Sequence, residues 1–158
     1  MTHPAPTAPT APASAAPFAH EDAADWYRGA VIYQVYPRSF ADSDGDGIGD
    51  LAGIRARLPH LRDLGVDAVW ISPFYASPQA DAGYDVSDYR KVDPVFGDAA
   101  DAEGLVRDAH ELGLRVIFDI VPNHCSEEHE WFQRALAEGP GSASRALFHF
   151  HEGRGEAG

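Results

Sequence analysis

The chain has 158 residues, enough for one domain, and its 44% hydrophobic content is sufficient for a core. A net charge of −13 argues against nucleic acid and against anionic membrane surfaces as partners. The single cysteine, Cys125, rules out an internal disulfide framework and fits a reducing, cytoplasmic location, and no apolar run approaches the length of a membrane span.

Met1 to Ala24 is dominated by Ala, Pro and Thr, without a basic start or a continuous apolar segment. It does not read as a secretory signal. So few large apolar residues cannot offset ordering entropy, so residues 1–25 are expected to be a disordered lead-in. Order is expected from Trp26. Val31 to Tyr36 is β-branched and aromatic, bounded by Gly29 and Pro37, and reads as a buried strand.

Asp42-Ser43-Asp44-Gly45-Asp46-Gly47-Ile48-Gly49-Asp50 follows. Carboxylates this close repel one another unless a cation or a helix N-terminus balances them. Hard, oxygen-seeking cations such as Ca²⁺ suit the arrangement, and the glycines let the backbone wrap a small sphere. The spacing matches the start of an EF-hand loop, but Gly53 stands where the bidentate Glu belongs and a strand precedes the loop. The alternative is a solvated acidic turn.

Leu51, Ile54, Leu58, Leu61 and Leu64 then recur at helical spacing, interrupted by Pro59. A proline in a helix interior costs about 3 kcal/mol, so two short helices are expected, with Pro59 in the first turn of the second and Gly65 as the stop. Val66 to Ser72 reads as a second strand. Phe74 to Phe96 reads as a long loop, of a length usually reserved for function or disorder. Asp98 to Leu112 is helical in pattern, Leu114 to Val121 is a third buried strand, and Glu130 to Glu138 a short helix. Strand and helix alternate, which predicts an α/β fold with a parallel sheet and sites at the carboxyl ends of its strands.

The informative residues sit at those ends. Asp81, Tyr84, Asp85 and Asp88 follow strand two. Carboxylates accept from sugar hydroxyls and a flat aromatic covers a sugar ring; a polar turn with Tyr84 packed sideways explains the stretch equally well. Asp119, an acid within an apolar strand, needs a partner. His124 could meet a ligand or, with Glu127, Glu128 or His129, a metal, but the His124–His129 spacing does not fit a helical zinc pair. Cys125 beside it reads as an inert buried thiol.

Taken in order, Tyr33-Gln34-Val35-Tyr36-Pro37-Arg38-Ser39-Phe40, the acidic loop, Gly65 to Pro73, Gly83-Tyr84-Asp85-Val86-Ser87-Asp88-Tyr89 and Asp119-Ile120-Val121-Pro122-Asn123-His124 resemble the N-terminal part of glycoside hydrolase family 13, within the wider α-amylase family. The subgroup resembled is the α-glucosidase and oligo-1,6-glucosidase type. The resemblance covers Trp26 to Phe150. It implies the first three βα units of a (β/α)₈ TIM barrel over residues 26–124, and the beginning of an inserted domain over 125–158. It implies a structural Ca²⁺ or Mg²⁺ held by Asp42, Asp44, Asp46, the Ile48 carbonyl and Asp50. It assigns Asp81, Tyr84 and His124 to substrate, with Asp119 and Asp85 as support, and an α-glucoside oligosaccharide as substrate.

Retaining glycosidases use two carboxylates about 5–5.5 Å apart. In the family both lie on later strands, so neither is expected here. A whole barrel takes ~250 residues, so this chain is expected to be a fragment that folds poorly alone and is inactive. A transglycosylase or isomerase parent of the trehalose synthase or sucrose-acting type shares these motifs. A non-catalytic, Ca²⁺-binding α/β module is the third reading.

Overall fold

The structure, a computed structural model, describes residues 25–151 and Gly153. The expected disordered lead-in lies, Asp25 apart, outside the described residues. A 3-10 turn, Trp26–Arg28, opens the described part. Then follow β1 (Ile32–Val35), α1 (Pro37–Phe40), α2 (Leu51–Leu64), β2 (Ala68–Ile71), β3 (Tyr75–Ala76), β4 (Asp88–Val92), α3 (Ala99–Glu111), β5 (Arg115–Phe118) and α4 (Glu130–Glu138). A second 3-10 turn covers Arg145–Leu147.

β1, β2 and β5 form a parallel sheet in the order β1-β2-β5. Tyr33 stands opposite Val69, and Val69 opposite Val116, so the three strands run in matched register. Each strand leads to a helix: β1 to α2, β2 to α3 and β5 to α4. Two βα units and a third parallel strand are thus present, in the order expected of an opening (β/α)₈ barrel, while α4 packs mainly against the second 3-10 turn. Among the described residues no helix is long and apolar enough to cross a membrane.

The core lies between this sheet and the pair α2 and α3. Leu51, Ile54, Leu58 and Leu61 of α2 are fully buried and join Val35, Val69, Ile71, Leu105 and Ala109 in one cluster. Each such side chain contributes about 1.5–3 kcal/mol. The Arg55 guanidinium pairs with Asp108 across the two helices, and this holds the Asp108 carboxyl below its ordinary value. Asp98 and Asp101 form a reciprocal capping box at the start of α3.

Several sequence expectations need correction. Pro59 does not divide a helix in two; it sits inside a single 14-residue α2. It lies on the exposed face, where water can take the Arg55 carbonyl that a proline nitrogen cannot serve. Leu64 is exposed rather than part of the buried stripe, because the helix ends there at Gly65, whose φ is 85°. Neither β1 nor β5 is a buried strand. Ile32, Tyr33 and Phe118 are exposed, because both strands are edges among the described residues. The stretch from Phe74 to Phe96 is not a bare loop: β3 and β4 pair antiparallel within it, with an irregular register at Tyr75 and Ala76. Asp119 lies one residue beyond β5, though its N–H still donates to the Ile71 carbonyl at 3.1 Å.

Candidate functional site

Two groups of residues gather at the carboxyl ends of the three parallel strands. The first is the acidic loop between α1 and α2. One carboxylate oxygen of Asp42 accepts from the backbone N–H groups of Gly45 at 2.6 Å and Asp44 at 3.2 Å, and the other from Gly47 at 2.8 Å. The Gly47 and Gly45 bonds are the main reason its carboxyl lies below the ordinary value. Gly45 and Gly47 have φ of 85° and 92°, which an L side chain would resist.

Asp50 closes the loop and starts the helix. Its Oδ1 accepts from Gly53 N–H at 2.6 Å as the N-cap of α2. Its Oδ2 accepts from Ser43 N–H at 2.9 Å and Oγ at 2.8 Å. Burial pushes its pKa up, and these donors together outweigh burial and bring it below the ordinary value.

Asp42, Asp44 and Asp50 place carboxylate oxygens within 4.8 Å of one another. Two oxygens on opposite sides of a Ca²⁺, each about 2.3–2.6 Å away, would stand about 4.6–5.2 Å apart, so the three acids fit such an ion. Asp46 stands outside this group, and its carboxylate accepts from Ile48 N–H at 2.7 Å.

The loop is anchored to its surroundings by backbone. Gly49 N–H donates to the Arg38 carbonyl at 2.8 Å, and Asp50 N–H to the Ala41 carbonyl at 3.0 Å. Leu51 N–H donates to the Phe96 carbonyl at 2.9 Å. A Cβ on Gly49 would stand 2.2 Å from the Pro37 carbonyl oxygen, and one on Gly53 2.0 Å from that of Ala41. The residue that breaks the EF-hand pattern is therefore glycine for a packing reason.

The second group joins the loop after β2 to the segment after β5. The Tyr84 hydroxyl donates to Asp119 Oδ2 at 3.2 Å, which supplies the partner that an acid at a strand end requires. Burial, then the Asp119 charge, push the Tyr84 phenol above its ordinary pKa, so it stays a donor. Asp85 organises the same loop. It accepts from Ser77 Oγ at 2.7 Å, Ala80 N–H at 2.8 Å and Asp81 N–H at 3.1 Å. Burial raises its pKa, but the Ser77 and backbone donors outweigh that and leave it lowered.

Asp81 is exposed, and two non-glycine residues in left-handed backbone flank it: Gln79 at φ 62° and Ala82 at φ 53°. Such conformations cost about 1–3 kcal/mol each and concentrate where function fixes geometry. Asp93 steadies one side of this turn, accepting from Gln79 Nε2 at 3.0 Å and Ser77 N–H at 3.3 Å. The Tyr36 hydroxyl reaches the Ala82 carbonyl at 3.4 Å from the end of β1.

His124 is exposed on the turn after β5, with Asn123 Nδ2 3.1 Å from its Nδ1. Its neighbour Cys125 is half-buried, and burial raises the thiol pKa. His129 is buried and caps α4 through Nδ1, which accepts from Trp131 N–H at 3.1 Å. Of the sequence-named residues, Tyr84 and Asp119 are bonded to each other, and Asp85 and Asp81 share one turn. His124 stands on the adjoining segment. The sequence reading missed Ser77, Gln79, Asp93 and Tyr89. Each acts through a bond to a distant residue, and a local pattern carries no sign of such a bond.

Comparison with known proteins identifies the family of the chain. Residues 34–158 match the family model described as the alpha amylase catalytic domain. A probable alpha-glucosidase of Rhizobium meliloti is 63% identical over 108 residues, covering 68% of this chain and 20% of that protein. The solved structure of an alpha-glucosyl transfer enzyme, XgtA, is 62% identical, with a TM-score of 0.69, over 70% of this chain and 21% of its own. A MutB mutant in complex with the substrate sucrose is 45% identical, with a TM-score of 0.79, over 84% of this chain and 24% of its own. The chain thus spans about a fifth of the length of the curated relatives it matches. It belongs to the α-amylase family, glycoside hydrolase family 13.

Proposed function

We propose that this chain is the substrate-binding N-terminal part of a retaining α-glucosidase that hydrolyses α-glucosidic bonds of malto- or isomalto-oligosaccharides. The observation that carries the reading is the Tyr84–Asp119 hydrogen bond. It joins the aromatic residue of the loop strained around Asp81 to a carboxylate just past the end of β5. In this reading Asp81 accepts from hydroxyls of the glucose before the scissile bond. Tyr84 lies beneath the ring, His124 donates to its 6-hydroxyl, Asp119 supports the centre and Asp85 shapes the loop. Nucleophile and acid/base belong to later strands, so this chain alone hydrolyses nothing.

A structural Ca²⁺ or Mg²⁺ is part of the proposal. Asp42, Asp44 and Asp50 would hold it, joined by Asp46 once its side chain turns from Ile48 N–H, and by the Ile48 carbonyl. The ion would neutralise mutual repulsion among the acids. It would have no part in the chemistry. A cytoplasmic location belongs to the same proposal, and cell fractionation tests it.

The test is kinetic. The full-length gene product should release glucose from maltose or isomaltose. His124→Ala should lower kcat/KM by about 1.5–3 kcal/mol of transition-state stabilisation, the worth of one hydrogen bond to a charged or well-buried group. Transfer of glucose to a second sugar, with no net release, would replace hydrolysis by transglycosylation. XgtA and MutB share this same segment, so product analysis is the deciding measurement.

A further inference from the structure

Tyr89, the second residue of β4, has no part in the reading above. Its hydroxyl nevertheless lies 2.6 Å from the Val121 carbonyl and 2.7 Å from the His124 carbonyl. One phenolic proton is thus shared between two acceptors three residues apart in the turn that carries His124. That turn has little backbone bonding of its own among the described residues. Backbone bonds anchor its two ends, from Asp119 N–H to the Ile71 carbonyl at 3.1 Å and from Ser126 N–H to the Val86 carbonyl at 2.9 Å. Among the described residues, no backbone N–H of residues 120–125 donates to a backbone carbonyl. Pro122 has no N–H to give.

The ring of Tyr89 is itself held in place. It packs against Tyr75 of β3 with centroids 6.1 Å apart and against His129 at 5.6 Å. Burial raises its phenol pKa, which keeps the proton on the hydroxyl at neutral pH. The same stretch that presents Tyr84 therefore also grips, five residues later, the turn that presents His124.

We propose that Tyr89 is a positioning residue: its hydroxyl sets the turn of residues 121–124, so that the His124 imidazole is held in register with Tyr84 and Asp81. This inference rests on the proposed role of His124 toward sugar.

The test is a double-mutant cycle in the full-length gene product, measured with maltose. Tyr89→Phe keeps the ring and removes the shared donor. It should lower kcat/KM roughly 5–20-fold with the thermal transition still cooperative, and in the His124→Ala background it should change kcat/KM by less than about twofold. 3-Fluorotyrosine at position 89 keeps the donor with a more acidic proton and should leave kcat/KM well above that of Tyr89→Phe, displaced from the parent in step with that acidity. Should Tyr89→Phe not fold, graded fluorination of Tyr89 carries the same test. Then kcat/KM must follow hydroxyl acidity in the parent and stay flat in His124→Ala.

A Tyr89→Phe enzyme as active as the parent, beside an impaired His124→Ala, overturns this inference alone. Equal losses in both backgrounds make Tyr89 a general brace and also overturn it. If His124→Ala is fully active, the sugar role of His124 falls and this inference falls with it. No dependence on hydroxyl acidity in the parent overturns it too.

Discussion

At the scale of the residue, the site depends on carboxylates held by donors. Asp85 is the clearest case, with three donors from Ser77, Ala80 and Asp81. Asp85→Asn removes the charge from bonds worth about 1.5–3 kcal/mol when an ion takes part, and should lower unfolding stability by about that much at neutral pH. The pH dependence has a definite sign. The folded-state pKa values of Asp85 and Asp50 lie below the ordinary 3.8. Their stabilisation is therefore complete above that value and is lost as pH falls through the folded values. Urea midpoints should drop below pH 3.8 in the parent and drop less in Asp85→Asn. An equal drop in both would place the acid sensitivity elsewhere. The acidic loop carries the second residue-scale prediction. Ca²⁺ at about 100 times its Kd should stabilise the parent by about 2.7 kcal/mol, read as a rise in Tm. Asp44→Ala should abolish that rise. Asp44 is the better choice than Asp50, because Asp50 also caps α2 and its loss would lower Tm without any ion.

At the scale of the element, α2 and its approach are set by backbone contact. A Cβ at Gly53 would meet the Ala41 carbonyl oxygen at 2.0 Å, and that carbonyl also accepts from Asp50 N–H. Gly53→Ala must push the acidic loop from the helix start, at a cost of about 1–3 kcal/mol or more. Denaturant unfolding of Gly53→Ala against Ala52→Gly, its exposed neighbour, separates this clash from helix propensity. A loss at position 53 no larger than the change at 52 would refute it. This element also marks where sequence reading stops. The stripe Leu51, Ile54, Leu58, Leu61 was legible from period alone, and the stop at Gly65 from the glycine that follows it. Pro59 misled because its local cost of about 3 kcal/mol competes with burial of Leu61, worth about 1.5–3 kcal/mol, and with the rest of the helix packed on α3. The β3–β4 pairing was hidden because Tyr75-Ala76 is only two residues long and gains its partner across an irregular register. The same limit applies at the site. The need of Asp119 for a partner could be read from its place among apolar residues, but not that Tyr84, 35 positions away, supplies it.

At the scale of the whole molecule, the sheet has one fully paired strand and two edges among the described residues. β2 bonds to β1 on one side and β5 on the other, while Ile32, Tyr33 and Phe118 are exposed along the outer strands. Hydrophobicity marked all three strands alike, because composition does not say which flank of a strand is paired. Open edges invite further strands, whereas a net charge of −13 opposes association of identical chains. Amide exchange on this chain can separate these effects. In a parallel ladder a residue's N–H and C=O point to the same side. Arg115 and Asp119 donate inward to the Asp67 and Ile71 carbonyls, so the N–H groups of Val116 and Phe118 point away from β2. Exchange should therefore be slowest throughout Ala68–Ile71 and should alternate along β5, with Val116 and Phe118 fast and Ile117 slow. Uniform protection along β5 would mean that another strand covers that edge, and a concentration dependence of that protection would identify it as a second copy of the chain.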